Sequence, residues 1–174
     1  MHRCNPGKEK RMIRKFGIFD TVEELNRAAA AQKAEGDEEA LFALAAENGI
    51  GQEDVRDYLD GEVEELATPL MAAVGKLDME AAELGLQSQL KDWKEYLSYM
   101  CVEEPEMCGG VFREDRHLGD FLAAGLKHAS RNRVRVPDGI AKKAGIPQAS
   151  YIGMTGRDEL RRIARDYYVK RVVV

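Results

Sequence analysis

Apolar residues recur at helical spacing along most of the chain, and the polar residues between them mark where helices start and stop. Thr21, followed by Glu24 three residues later, is typical of a capping box at a helix start. Gly36 predicts the end of that helix, Asp37 the cap of a second, and Gly61 the end of a third. The apolar positions of these helices are Val22, Leu25, Ala28, Ala29, Leu41, Leu44, Ala45, Val55, Tyr58 and Leu59.

A longer helical pattern follows. From residue 63 to 77 the apolar spacing continues straight through Pro69. Either a helix kinks there, or Thr68 caps a new helix whose first residue is Pro69. The spacing then runs on from Met79 to Met100 and predicts the longest helix of the chain, ending before Pro105.

After Gly109-Gly110 the pattern changes. Residues 118–129 predict another helix, and 133–137 alternate like a short strand for which Tyr151-Ile152 is a candidate partner. Residues 155–166 predict a final helix. The fold class predicted is mainly α, a helical bundle of short and long helices with a small α+β C-terminal part.

Charge divides the chain in the same way. Residues 20–106 hold 23 Asp and Glu against 6 Lys and Arg, whereas residues 107–174 hold 14 basic and 7 acidic residues. The first 19 residues carry six basic groups and one acidic group. We therefore predict a disordered basic leader (1–11), an acidic helical domain (12–108) and a basic α+β subdomain (109–174) that is able to pack with the helices as one domain.

The densest acidic stretch, residues 35–65, contains twelve carboxylates and one base, Arg56. One interpretation is a solvated face that keeps the protein soluble. The other is a surface that docks on a basic groove, because carboxylates and phosphates both accept hydrogen bonds from Arg and Lys. The candidate partner-binding carboxylates are Glu38, Glu39, Asp54, Asp57, Asp60, Glu62, Glu64 and Glu65.

The basic C-terminal part is a second candidate site. Its arginines and nearby tyrosines are compatible with contact to a protein partner or to nucleic acid. Alternating Arg and Val is also how an edge strand stays soluble. The candidate residues are Arg131, Arg133, Arg135, Arg161, Arg162 and Arg165.

Catalytic and metal motifs are weak. Cys101, Cys108, His117 and His128 have a spacing that matches no familiar zinc loop, and buried thiols explain the cysteines better. No phosphate-binding loop or catalytic triad is evident, so we predict a non-enzyme without metal or cofactor. No apolar run reaches the ~20 residues of a membrane span. We expect a protein of a reducing cytoplasm.

Two stretches carry a family resemblance. Residues 16–26 read FGIFDTVEELN, and AAENGI at 45–50 is followed by DYLDG at 57–61 and PLMAAVGKL at 69–77. They resemble small proteins of phages and conjugative elements in gut Firmicutes, some of which are anti-CRISPR inhibitors. The resemblance implies a protein that binds the guide-loaded type II CRISPR nuclease, with its guide RNA, and blocks target DNA binding. The acidic helices suggest DNA mimicry.

Two other functions stay open. The chain is alternatively a nucleic-acid-binding accessory protein of a mobile genetic element, or a helical protein-interaction module. The oligomeric state is open as well. The β-prone tail Val172–Val174 is able to pair strands between subunits or to close a small sheet within one.

Overall fold

The computed structural model of the chain describes residues 15–170. Within that range the first five helices are α1 (Val22–Glu35), α2 (Glu38–Glu47), α3 (Gln52–Asp60), α4 (Pro69–Leu84) and α5 (Ser88–Glu103). They are followed by α6 (Pro105–Phe112), α7 (Leu118–Arg131), β1 (Arg133–Arg135), α8 (Asp138–Ala144), β2 (Tyr151–Gly153) and α9 (Arg157–Tyr168). The mainly α fold with a small α+β C-terminal part is confirmed. The predicted leader 1–11 and tail 172–174 lie outside the described residues.

The short helices are capped by the residues that the sequence indicates. The Thr21 hydroxyl accepts a hydrogen bond from the Glu24 N–H at 3.2 Å. The Glu24 carboxylate returns to the N–H of Asp20 at 3.0 Å, one residue before the expected partner. Gly36 ends α1 in the left-handed conformation, and the Asp37 side chain accepts from the Ala40 N–H at 2.9 Å. These caps satisfy backbone groups that a helix end otherwise leaves unpaired.

At Pro69 the capping alternative is correct, since the Thr68 hydroxyl accepts from the Met71 N–H and Pro69 is the first residue of α4.

The single helix predicted from Met79 to Met100 is wrong. α4 ends at Leu84, Gly85 adopts the left-handed conformation with φ of 61°, and α5 begins at Ser88. The apolar spacing crosses this break because both helices face one core, against which Leu86 also packs. Gly85 ends α4, and α5 folds back onto it.

Two helices were missed, α6 and α8. The boundary predicted near Gly109-Gly110 falls inside α6. Adjacent glycines usually indicate a break, but here Gly110 allows the backbone of α6 to approach the carbonyl group of Tyr168, the last residue of α9. The final helix starts and ends two residues later than predicted.

The strand pair is confirmed. β1 and β2 are antiparallel, with Arg133 opposite Gly153, Val134 opposite Ile152 and Arg135 opposite Tyr151.

Helices α4 and α6 separate two hydrophobic cores. The first core is built by α4, α5, α6, α7 and α9 and contains Ala73 and Val111. The second is built by α1, α2, α3 and the segment before α4, and contains Ala72 and Phe112. Neighbouring residues of α4 and of α6 thus face opposite cores. Residues on both sides of the predicted 108/109 boundary share the first core.

Two charged residues of α4, one turn apart, hold the connection between α6 and α7. The Lys76 ammonium donates to the carbonyls of Val111 at 3.0 Å and of Arg116 at 2.6 Å, and also to that of Arg113. The Glu80 carboxylate accepts from the Leu118 N–H at 2.6 Å, at the start of α7. Lys76 therefore caps the C-terminal end of α6 and Glu80 caps the N-terminal end of α7.

The two glycines of α6 give a matched test of this packing. Gly109→Ala should stabilise the protein by about 0.5–1 kcal/mol, because no atom beyond its two chain neighbours and its own helix backbone lies within 4 Å of the new Cβ and alanine favours the helix. Gly110→Ala should destabilise it by about 1–3 kcal/mol, because its Cβ would overlap the Tyr168 backbone. Urea unfolding of the two variants measures both values. Equal effects would contradict the α6–α9 contact.

Candidate partner-binding surfaces

The eight predicted carboxylates lie on α2, on α3 and on the segment 62–65, and together they form what we call the acidic surface. Seven of them are exposed, and Asp54 is half-buried. Within residues 15–170, none of the eight has a basic nitrogen within 4.0 Å that would make an ion pair. Their negative charge is therefore available to a partner.

One carboxylate of the acidic surface, Asp54, stabilises the start of its own helix. The Asp54 carboxylate accepts a hydrogen bond from the N–H of Gly51 at 3.1 Å, at the start of α3. A carboxylate in the first turn is also favoured by the helix dipole. Asp54 thus stabilises α3, and its charge is less available than that of its neighbours.

Two other carboxylates of the acidic surface interact unfavourably with the dipole of their own helix. Asp57 and Asp60 lie in the last turn of α3, which contains no basic residue. Negative charge at a helix C-terminus is unfavourable by roughly 0.3–1 kcal/mol per residue. Local helix stability therefore does not account for these two carboxylates.

Glu64 and Glu65 border a shallow depression of about 300 Å³ that Arg27 and Tyr58 also line. Burial, and secondarily the Glu65 carboxylate, raise the pKa of the Tyr58 phenol above its usual range. The Lys33 ammonium lies 4.3 Å from the centre of the Tyr58 ring and donates to the Tyr58 carbonyl. This cation therefore holds the end of α3 against α1.

The structure divides the predicted basic residues into two sets. The first set lies on α9 and forms ion pairs with carboxylates of the same chain. Arg161 contacts Glu103, and Arg165 contacts Glu104 and, at 3.0 Å, Glu106. These pairs fasten α9 to the junction between α5 and α6, so their charge is largely neutralised.

Arg162, the third member of that set, pairs within α9. Its guanidinium lies 3.3 Å from Asp166 and also contacts Glu159, where it lowers the pKa of the carboxyl group. Each of the three predicted arginines on α9 is therefore paired with carboxylates of the same chain.

The second set, Arg131, Arg133 and Arg135, lies at the end of α7 and on β1, and all three are exposed. Arg135 pairs with Asp138 at 2.9 Å, whereas Arg131 and Arg133 form no ion pair within residues 15–170. Sequence reasoning missed Lys127 and Arg157, which flank this set. A charge count over a window of about thirty residues would have found them, because residues 127–157 contain a single carboxylate.

The cysteines and histidines weighed as zinc ligands are dispersed. Cys101 and Cys108 are buried in the first core, where burial raises the pKa of the Cys101 thiol to about 12. His117 lies 3.3 Å from Glu80, and His128 lies 3.2 Å from Glu159. Residues 15–170 contain no group of three or more His, Cys, Asp or Glu arranged to hold a metal ion.

A group of contacts around Thr155 was not predicted from the sequence. The Thr155 hydroxyl donates to the Gly125 carbonyl at 2.9 Å and lies 3.4 Å from Nδ1 of His128, whose Nε2 faces Glu159. Thr155 is buried and its proton is already directed at a backbone carbonyl. The geometry therefore fastens the segment after β2 onto α7 and α9, and does not activate the hydroxyl as a nucleophile.

No protein-family model, curated protein or solved structure matches this chain. None of the helices within residues 15–170 has both the length and the apolar character needed to cross a membrane.

The free energy of unfolding distinguishes the carboxylate that stabilises α3 from a carboxylate that does not. Asp54→Ala should lower the free energy of unfolding by about 0.5–2 kcal/mol, because the hydrogen bond to the Gly51 N–H is lost. Asp57→Ala should leave it unchanged or raise it slightly, because a charge that opposes the helix dipole is removed. Urea denaturation of both variants checks this. A larger loss for Asp57→Ala would show that it has a structural partner.

Proposed function

We propose that this chain is a non-enzymatic anti-CRISPR protein that binds the guide-loaded type II CRISPR nuclease and blocks target DNA binding through the acidic surface. The observation that carries the proposal is the set of exposed carboxylates on α2, α3 and residues 62–65 that form no ion pair with any residue from 15 to 170. The resemblance of residues 16–26 and 45–77 to such inhibitors supports the choice of partner. The action would take place in the cytoplasm of the bacterial host.

The chemistry of the partner fits this surface. RNA-guided nucleases hold nucleic acid in positively charged channels and read the adjacent DNA motif with arginines. A carboxylate accepts hydrogen bonds from the same guanidinium and ammonium groups that would bind phosphate. The acidic surface would occupy the channel as a DNA mimic, with the two cores holding the helices in place.

The position of Asp57 and Asp60 strengthens the proposal. Both carboxylates oppose the dipole of α3, so they reduce the stability of the helix that carries them. Functional surfaces commonly retain residues that stability alone would not favour. Binding to a basic partner would offset this destabilisation.

The test is the double variant Asp57→Lys/Asp60→Lys. It should fold at least as stably as the wild type, because positive charge suits the C-terminal end of α3. Placing cations in a basic channel should weaken inhibition about tenfold or more. Gel-shift titration of target DNA with the guide-loaded nuclease, at increasing inhibitor concentration, measures the effect.

The matched control is Glu83→Lys/Asp92→Lys, which makes the same change in net charge at exposed positions outside the acidic surface. It should inhibit like the wild type. Equal inhibition by both variants would exclude DNA mimicry by α3. A wild-type protein that leaves DNA binding unchanged for every member of a panel of diverse type II nucleases would contradict the proposed function.

A further inference from the structure

The segment from Lys127 to Arg157 forms a second charged surface, which we call the hairpin surface. It contains β1, α8 and β2, together with the end of α7 and the start of α9. Seven Lys and Arg lie in it against one carboxylate, Asp138, which gives a net charge of +6. Within residues 15–170 the only ion pair that these seven residues form is that of Arg135 with Asp138. The other cations are Lys127, Arg131, Arg133, Lys142, Lys143 and Arg157.

This surface also exposes large apolar side chains. Val134 is 63% exposed, Tyr151 62% and Met154 60%. Every residue of both strands is exposed, and α8 buries only Ala141. Exposed apolar side chains concentrated beside cations indicate a surface that a partner covers.

The hairpin surface is nevertheless held in place. Residues directly opposite in an antiparallel pair share a face, so Arg133, Arg135 and Tyr151 lie on one side of the hairpin. On that side Gly153 packs so closely against the carbonyl of Ala129 in α7 that a side chain there would overlap it. The buried Thr155 then binds the Gly125 carbonyl. These two contacts fix the end of the hairpin to α7.

We propose that the hairpin surface binds single-stranded nucleic acid without sequence preference. The exposed cations would contact phosphates, and the Tyr151 ring would stack on a base. A single strand fits better than a duplex because its bases are free to stack on Tyr151, whereas a duplex hides them. This activity belongs to the free protein and does not depend on the acidic surface, so it goes beyond the proposed function.

The local charge makes the proposal quantitative. The whole chain has a net charge of −5, which would repel nucleic acid, so binding requires that the +6 segment act locally. Each phosphate contact on a single strand contributes about −0.7 to the slope of log K against log salt. Three or four contacts predict a slope of about −2 to −3.

The experiment is fluorescence anisotropy of labelled oligouridine and oligothymidine of about twenty nucleotides with the full chain, at several salt concentrations. Arg133→Gln should weaken binding several-fold and reduce the salt slope by about 0.7. Arg162→Gln is the matched control, since it removes an exposed guanidinium that is paired with Glu159 and Asp166 on α9. It should leave both affinity and slope unchanged.

A second pair of variants tests stacking. Tyr151→Gln should weaken binding about fivefold or more while leaving the salt slope unchanged, because stacking does not release counterions. Tyr99→Gln, at an exposed tyrosine of α5, is the control and should bind like the wild type. Circular dichroism confirms that each variant remains helical.

Several outcomes would overturn the proposal. The first is an absence of salt-dependent binding by the folded protein. The second is an equal loss of affinity in Arg133→Gln and Arg162→Gln. The third is a duplex that binds as tightly as a single strand, together with an unchanged affinity of the Tyr151→Gln variant. Tighter binding of an acidic polyglutamate peptide than of oligouridine would assign the surface to a protein partner instead. The Asp57→Lys/Asp60→Lys variant should keep its affinity for oligouridine, so failure of this proposal and failure of the proposed function are distinguishable.

Discussion

The arrangement of this molecule depends on how α4 holds the connection between α6 and α7. The Lys76 ammonium is largely removed from water, and carbonyls at the end of α6 and in the following turn replace its hydration. One turn later, Glu80 caps the first N–H of α7. The two side chains set where α6 ends and where α7 begins. Because α4 and α6 divide the two cores, this contact also positions α1–α3 relative to α7 and α9.

Three places in the fold differ in whether their charged side chains form ion pairs. Where α9 meets the α5–α6 junction, arginines and glutamates pair with each other and hold helices together. Within the described range 15–170, the carboxylates of α2 and α3 have no such partners, and most cations of the hairpin surface have none. A charge count treats all residues of one sign alike. In the folded protein some of them hold helices together and others are available to partners. Tertiary contacts make that distinction.

Local signals account for what was predicted correctly. Thr21, Asp37 and Thr68 act on backbone groups within three residues, so their capping role can be predicted without knowledge of the fold. The break at Gly85 and the continuity of α6 through Gly109-Gly110 could not be predicted in the same way. Glycine is compatible both with a left-handed helix end and with close packing inside a helix. Which of the two applies depends on the neighbour, which for Gly110 is the distant residue Tyr168.

The sequence by itself determined the helical class, the caps, the two short strands and the division of charge along the chain, because these follow from periodicity and from neighbouring residues. The tertiary structure decided which charges are free. Arg161 and Arg165 lie some sixty residues from the glutamates that neutralise them, whereas Arg131 and Arg133 form no ion pair in the part of the chain that the structure describes. A cation becomes a binding group only when folding brings no carboxylate close enough to pair with it, and that depends on distances between residues far apart in the chain.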